Sequence, residues 1–202
     1  MAKRNIEFKI GKYYHIYNRG ANRNKMFFEE DNYIYLLKNL KKYSIKSSFS
    51  VIAYCLMPNH YHLLLRQNSE STINLAIGFL FNTYTKAINK KYNKSGTLFE
   101  GNFRALEVED EKYLLELCRY IHRNPIDDKL VENIEEWKYS NYLEWVGKRN
   151  GSLIDIKLRD QYFPRGKGYE DFVLDHYSHK QFRNEIKKDL LEMKSKNKKL
   201  ND

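Results

Sequence analysis

The chain of 202 residues contains only two cysteines, Cys55 and Cys118. Both sit in apolar surroundings, which argues for buried free thiols and against a disulfide framework or a thiolate metal site. No apolar run approaches the roughly 18 residues that span a bilayer, so no membrane partner is expected. Residues 1–4 lead into no signal-peptide core, and no internal repeat is visible. Acidic residues are in deficit: 26 Asp and Glu stand against 36 Lys and Arg, a net charge of +10. That deficit points to a polyanionic partner, although part of it lies in the lysine-rich tail 187–199, which can be a solvated helix end.

What is present is an ordinary globular composition, 42% hydrophobic and 31% charged, long enough for one domain with an appendage. The 17 tyrosines and 11 phenylalanines are mostly core material, with some available for stacking on unpaired bases. The most informative stretch is 51–65. An apolar, β-prone run meets Pro58-Asn59, a turn signal, and continues through His60-Tyr61-His62 into leucines. Two strands joined at that turn form a hairpin. Alternation then points His60 and His62 to one face and Tyr61 to the other. Such a pair suits metal ligation, and equally a buried, hydrogen-bonded histidine pair.

Residues 111–123 carry apolar side chains at Tyr113, Leu114, Leu117, Tyr120 and Ile121, a helical spacing that is expected to end just before Asn124-Pro125. Tyr120 and Asn124 are four apart and share a face. The remaining pattern reads as a strand over 12–18, a polar loop over 19–24, a helix over 30–44, a helix over 71–92 capped by Ser69 or Ser71, and a strand over 105–108. The order β-α-β-β-α-β-α predicts an α+β fold of the ferredoxin-like or RRM-like split βαβ type, an antiparallel sheet with helices on one face. A C-terminal helical extension follows. The expected division is a domain over 1–146 and an extension over 147–202. The extension comprises a loop or linker over 147–168, helices over 169–177 and 181–193, and a disordered tail from Lys194.

A His-x-His strand followed by a helix bearing Tyr120-Ile121-His122-Arg123-Asn124-Pro125 resembles the single-tyrosine HUH transposases, nearest to the REP-associated tyrosine transposases. The blocks Tyr14-His15-Ile16-Tyr17-Asn18-Arg19-Gly20 and Phe99-Glu100-Gly101-Asn102-Phe103-Arg104 share in the likeness, which covers about residues 11–146. The resemblance implies cleavage and rejoining of single-stranded DNA that carries a hairpin, such as a REP-like palindrome. Tyr120 would form a 5′-phosphotyrosine and release a 3′-hydroxyl. A phenol of reference pKa about 10 is a poor nucleophile at neutral pH, so a nearby cation must favour its anion or organise the phosphate. His60 and His62 offer two nitrogens and Asn124 an amide oxygen. A mixed nitrogen and oxygen site with open positions suits Mg²⁺ or Mn²⁺.

Tyr113 lacks an Asn four residues later, Tyr61 points away, and His122 faces elsewhere, so none of these is expected to be catalytic. The expected DNA contacts are Arg19 and Arg23 in the polar loop, Lys86 and Lys90 on the polar face of the second helix, Arg104 and Arg123. A cytoplasmic, nucleoid-associated monomer or homodimer is expected. The competing readings are a non-cleaving module for structured single-stranded DNA or RNA, which would use the same sheet and basic loops, and a structural metal site in a protein-interaction domain.

Overall fold

A computed structural model describes residues 6–175, 180, 182–184 and 186. Four antiparallel strands form one sheet: β1 (Tyr13–Arg19), β2 (Phe49–Met57), β3 (His60–Gln67) and β4 (Arg104–Val108), in the order β2-β3-β1-β4. The β2–β3 hairpin turns at Pro58-Asn59, pairing Met57 with His60 and Cys55 with His62. β1 pairs Tyr17 with His62 on one side and with Arg104 on the other. Side chains directly opposite in antiparallel strands share a face. Cys55, His62, Tyr17 and Arg104 therefore form one row across the sheet.

The expected antiparallel α+β sheet is present, but its helices divide between the two faces. Helices α1 (Glu30–Lys46) and α2 (Ile73–Lys91) bury Tyr33, Leu36, Leu40, Ile77, Leu80 and Tyr84 against Tyr61, Leu63 and Leu65. Helix α3 (Glu111–Asp127) covers the opposite face, setting Leu114, Leu117, Cys118 and Ile121 against Ala53, Cys55 and Leu64. The cause is visible in β2, which is buried at eight of its nine positions. A strand apolar on both sides needs cover on both sides.

Two helix boundaries also differ from expectation. Helix α2 starts after Thr72, not Ser69 or Ser71. Gln67 Oε1 accepts from the Ile73 amide at 3.1 Å, while the Ser69 hydroxyl donates to the Ser47 carbonyl. Helix α3, capped by the Asp110 carboxylate on the Tyr113 amide at 2.7 Å, runs through Pro125 instead of stopping before it. Proline has no N–H to offer the carbonyl four residues back. The Asn124 side-chain amide lies over that gap, donating to the carbonyls of Tyr120 at 2.7 Å and Ile121 at 3.5 Å.

The segment expected as a linker contains a helix. Beyond the short turn α4 (Tyr142–Trp145), α5 (Ile156–Tyr162) and α6 (Tyr169–Leu174) bury Leu158, Tyr169 and Val173 in the same cluster as α3. The helix expected over 181–193 falls largely outside the described residues, as does the tail from Lys194. Residues 139–155 also cover the exposed edge of β2: the Leu56 amide donates to Tyr139 O, Asp155 N to Val51 O, and Trp145 Nε1 to Ile52 O. Covering an edge removes a template for aggregation.

His122 ties these parts together. Asn141 Nδ2 donates to Ile52 O, so its Oδ1 accepts, taking Nε2–H of His122 at 2.9 Å. Tyr169 then donates its hydroxyl to His122 Nδ1 at 2.7 Å. Burial lowers the His122 pKa to about 4, the Asn141 hydrogen bond opposing the shift. The folded pKa lies below the unfolded value of about 6.5, so the unfolded chain binds the extra proton and stability falls as pH drops from 6.5 toward 4. The loss assignable to this residue should reach about 3 kcal/mol. Denaturation of wild type and His122→Gln across pH 7 to 4 checks it: the variant should be less stable at pH 7 yet show a shallower pH slope.

Candidate functional site

Strand alternation brings His60 and His62 to the α3 side, with ring centroids 5.3 Å apart, while Tyr61 stacks on Phe81 on the other side. From α3, the Tyr120 ring meets His62 edge-on at 5.4 Å. One turn later Asn124 Oδ1 lies 3.4 Å from His60 Nε2, and Asp128 Oδ2 lies 4.0 Å from the same nitrogen. Tyr17 stacks beside His62. These residues line an open pocket of about 300 Å³ together with Asn18, Arg19, Asn59, Glu100, Arg104 and Arg183.

The hydrogen bonds assign the proton positions. Asn124 donates its amide hydrogens to helix carbonyls, so its Oδ1 is the atom that faces His60. Asn59 Oδ1 lies 2.8 Å from His60 Nδ1, and both it and Asn124 Oδ1 can only accept; in the neutral ring the much shorter contact places the proton on Nδ1 and leaves Nε2 as a bare lone pair. A lone pair on nitrogen, an amide oxygen and a carboxylate thus converge with no hydrogen between His60 and Asn124. A cation relieves that repulsion. His62 Nδ1 lies 2.9 Å from His15 Nε2, which leaves His62 Nε2 as the nitrogen available to a ligand.

All three imidazoles are held neutral. Burial lowers His15 to about 3. Burial, then the neighbouring His15 and His60, carries His62 well below the ordinary histidine value. Burial likewise lowers His60, opposed by Asp128 and Asn124. Neutral imidazole is the ligating form. Among the described residues no group of three or more His, Cys, Asp or Glu side chains is arranged for a metal. The donor set here, two imidazoles and an amide oxygen, fits an open, labile divalent site instead of a closed structural zinc. Tyr120 is 7% exposed, and burial raises its phenol pKa, with Arg183 acting in the opposite direction.

The expected DNA contacts scatter. Arg19 lines the pocket and pairs with Glu100. Arg104 lines it too, and its buried Nη1 has no hydrogen-bond partner among the described residues. Arg23 is exposed in a turn outside the pocket lining. Lys86 and Lys90 are exposed on α2, which packs on the face away from the histidines, so they are not part of this site. Arg123 is corrected outright: it is 2% exposed, donates to Val173 O at 2.9 Å and lies 3.7 Å from Asp127. Its position on α3 turns it toward α6. Sequence reading missed His15, Asn59, Asp128 and Arg183. His15 was detectable in principle, since it alternates in phase with Tyr17 on β1, but its neighbour depends on the β1–β3 register.

Residues 9–124, more than half of the chain, match the family described as Transposase IS200 like. The chain belongs to the IS200-like transposase family. The matched residues include His60, His62, Tyr120 and Asn124. A protein of Haemophilus influenzae named as a REP-associated tyrosine transposase is 28% identical over 105 residues, which are 46% of this chain; the chain spans 59% of that relative's length. Among solved structures, a REP-associated tyrosine transposase bound to a REP hairpin superposes with a TM-score of 0.62 at 16% identity, covering 77% of this chain and 94% of that one. That likeness shows a shared fold. No helix among the described residues is long and apolar enough to cross a membrane.

The reassignment of Arg123 is checked by stability. Arg123→Met removes the donor to Val173 O and one guanidinium beside Asp127, so it should cost roughly 3 kcal/mol in urea denaturation. A loss under about 0.5 kcal/mol, the scale of a surface substitution, would return Arg123 to the solvent-facing set.

Proposed function

We propose that this IS200-like transposase cleaves and rejoins single-stranded DNA bearing a hairpin of the REP-like palindrome kind, with Tyr120 as nucleophile. The observation that carries the reading is the convergence of Tyr120 and Asn124 with His60 and His62 in one pocket, across some sixty residues of sequence and two different elements. The phenol oxygen of Tyr120 attacks the phosphorus and its proton passes to solvent. The bond from phosphorus to the 3′ oxygen breaks, leaving a 5′-phosphotyrosine and a 3′-hydroxyl. The reverse reaction with another 3′-hydroxyl joins strands, because the phosphotyrosine conserves the energy of the linkage.

Burial keeps the Tyr120 phenol protonated in the free protein, so its deprotonation depends on the charge brought into the pocket. His60, His62 and Asn124 would hold Mg²⁺ or Mn²⁺, which when bound supplies Lewis-acid charge to the phosphate. His15 holds His62 through its Nδ1, and Asn59 holds His60 through its Nδ1, so both ring orientations are set before any ligand arrives. Arg104 lines the same pocket, and a guanidinium there suits a backbone phosphate.

A hairpin-bearing oligonucleotide incubated with the protein and Mn²⁺ should yield a covalent adduct resolved on a denaturing gel. Tyr120→Phe should form none, while its affinity for the strand stays within about threefold, because only a hydroxyl is removed. Hairpin binding by wild type without any adduct would favour the non-cleaving module. Mn²⁺ should also raise the melting temperature of wild type, through preferential binding to the folded state. A comparable rise in the His60→Ala, His62→Ala double variant would remove these residues as ligands.

A further inference from the structure

The matched family residues end at Asn124, yet the pocket wall includes Arg183, supplied by the C-terminal segment. Two apolar contacts dock that segment on α3. The Phe182 ring meets Tyr113 edge-on at 5.0 Å, and Ile186, 1% exposed, lies in the cluster built around Leu117 and Ile121. Arg183 follows Phe182 directly and is carried into the lining that includes Tyr120.

Its charge is only shared out, not spent. Arg183 Nε lies 3.3 Å from Asp127 Oδ2, and Arg123 Nη2 lies 3.7 Å from Oδ1 of the same carboxylate. One carboxylate therefore serves two guanidiniums. Arg123 is enclosed and bonded to Val173 O, while the Arg183 side chain lines the pocket and retains 30% exposure. Within the lining, three guanidiniums (Arg19, Arg104, Arg183) stand with two carboxylates (Glu100, Asp128), and Asp127, shared with Arg123, meets Arg183 from outside it. A guanidinium fork with spare donors in the lining that also holds Tyr120 is suited to a phosphate that gains charge in the transition state.

We propose that Arg183 is a catalytic residue, binding a non-bridging oxygen of the phosphate that Tyr120 attacks. The proposal rests on the strand-cleaving reading above. No bond to Arg183 forms or breaks; its N–H donors hold the oxygen while the tyrosine–phosphorus bond forms and the bond to the 3′ oxygen breaks.

The test uses the full chain and a hairpin strand whose cleavage position has been mapped from the wild-type adduct. In single turnover, Arg183→Gln should slow adduct formation about 100-fold, the scale of losing one such donor, and Arg183→Lys should recover part of the rate. A second measurement separates contact from scaffolding. In the uncleaving Tyr120→Phe background, Arg183→Gln should weaken binding of the phosphodiester strand roughly tenfold, the scale of a hydrogen bond to a charged group. Binding of the same strand with a neutral methylphosphonate at the cleavage position should change less than twofold. Equal losses on both strands would make Arg183 a structural residue, and unchanged rate and binding would remove it from the site. If wild type forms no adduct at all, the strand-cleaving reading fails, and the binding comparison, made at each internal phosphate in turn, still decides whether Arg183 holds one.

Discussion

The register of the β2–β3 hairpin is the constraint on which the site depends. Only Pro58 and Asn59 separate the strands, and side chains alternate strictly, so a slip of one residue would turn His60 and His62 toward α1 and α2 and Tyr61 into the pocket. The turn is clamped from outside: Gly20 N donates to Asn59 O at 2.8 Å and Met26 N to Pro58 O at 2.7 Å. Gly20 has to be glycine, since a Cβ there would lie 2.0 Å from the Asn24 carbonyl oxygen. The loop after β1 thus holds the turn in place, and the turn sets the histidine face.

The second constraint is electrostatic. The site gathers lone pairs, not protons: Nε2 of His60, Oδ1 of Asn124 and the Asp128 carboxylate converge, and burial keeps the imidazoles neutral. Such an arrangement is costly in an empty interior and favourable around a cation. Pro125 contributes to it. It leaves the Ile121 carbonyl without its usual N–H, and the Asn124 side-chain amide, bonded to Tyr120 O at 2.7 Å, also reaches that carbonyl at 3.5 Å, with its oxygen facing the histidine.

The basic excess of the chain is divided among different tasks. Arg123 and Arg119 are buried beside Asp127 and Glu116 on α3, the α2 lysines face solvent across the sheet, and the pocket draws on Arg19, Arg104 and Arg183. Net charge alone therefore says little about where phosphate is met. What separates these arginines is the face of the element that carries each one, and for Arg183 the docking of Phe182 and Ile186 on α3.

Local pattern in the sequence was enough for the element order, the hairpin turn, the shared face of His60 and His62, and the helical phase that joins Tyr120 to Asn124. Each of these follows from a period of two or of 3.6 residues and a turn signal, all short-range properties of the chain. Helix α3 continuing through Pro125 was not legible, because a side-chain amide four residues after Tyr120 takes over part of the role of the missing N–H. The placement of α3 on the opposite face was also hidden, since β2 is apolar on both sides and its local pattern does not choose which helix covers which. Arg123 read as a DNA contact and is a core residue; His15, Asp128 and Arg183 carried no assigned role in the sequence and line or support the pocket. Those assignments were made by tertiary structure alone, because they depend on strand pairing and helix docking between residues distant in sequence, where local periodicity carries no information.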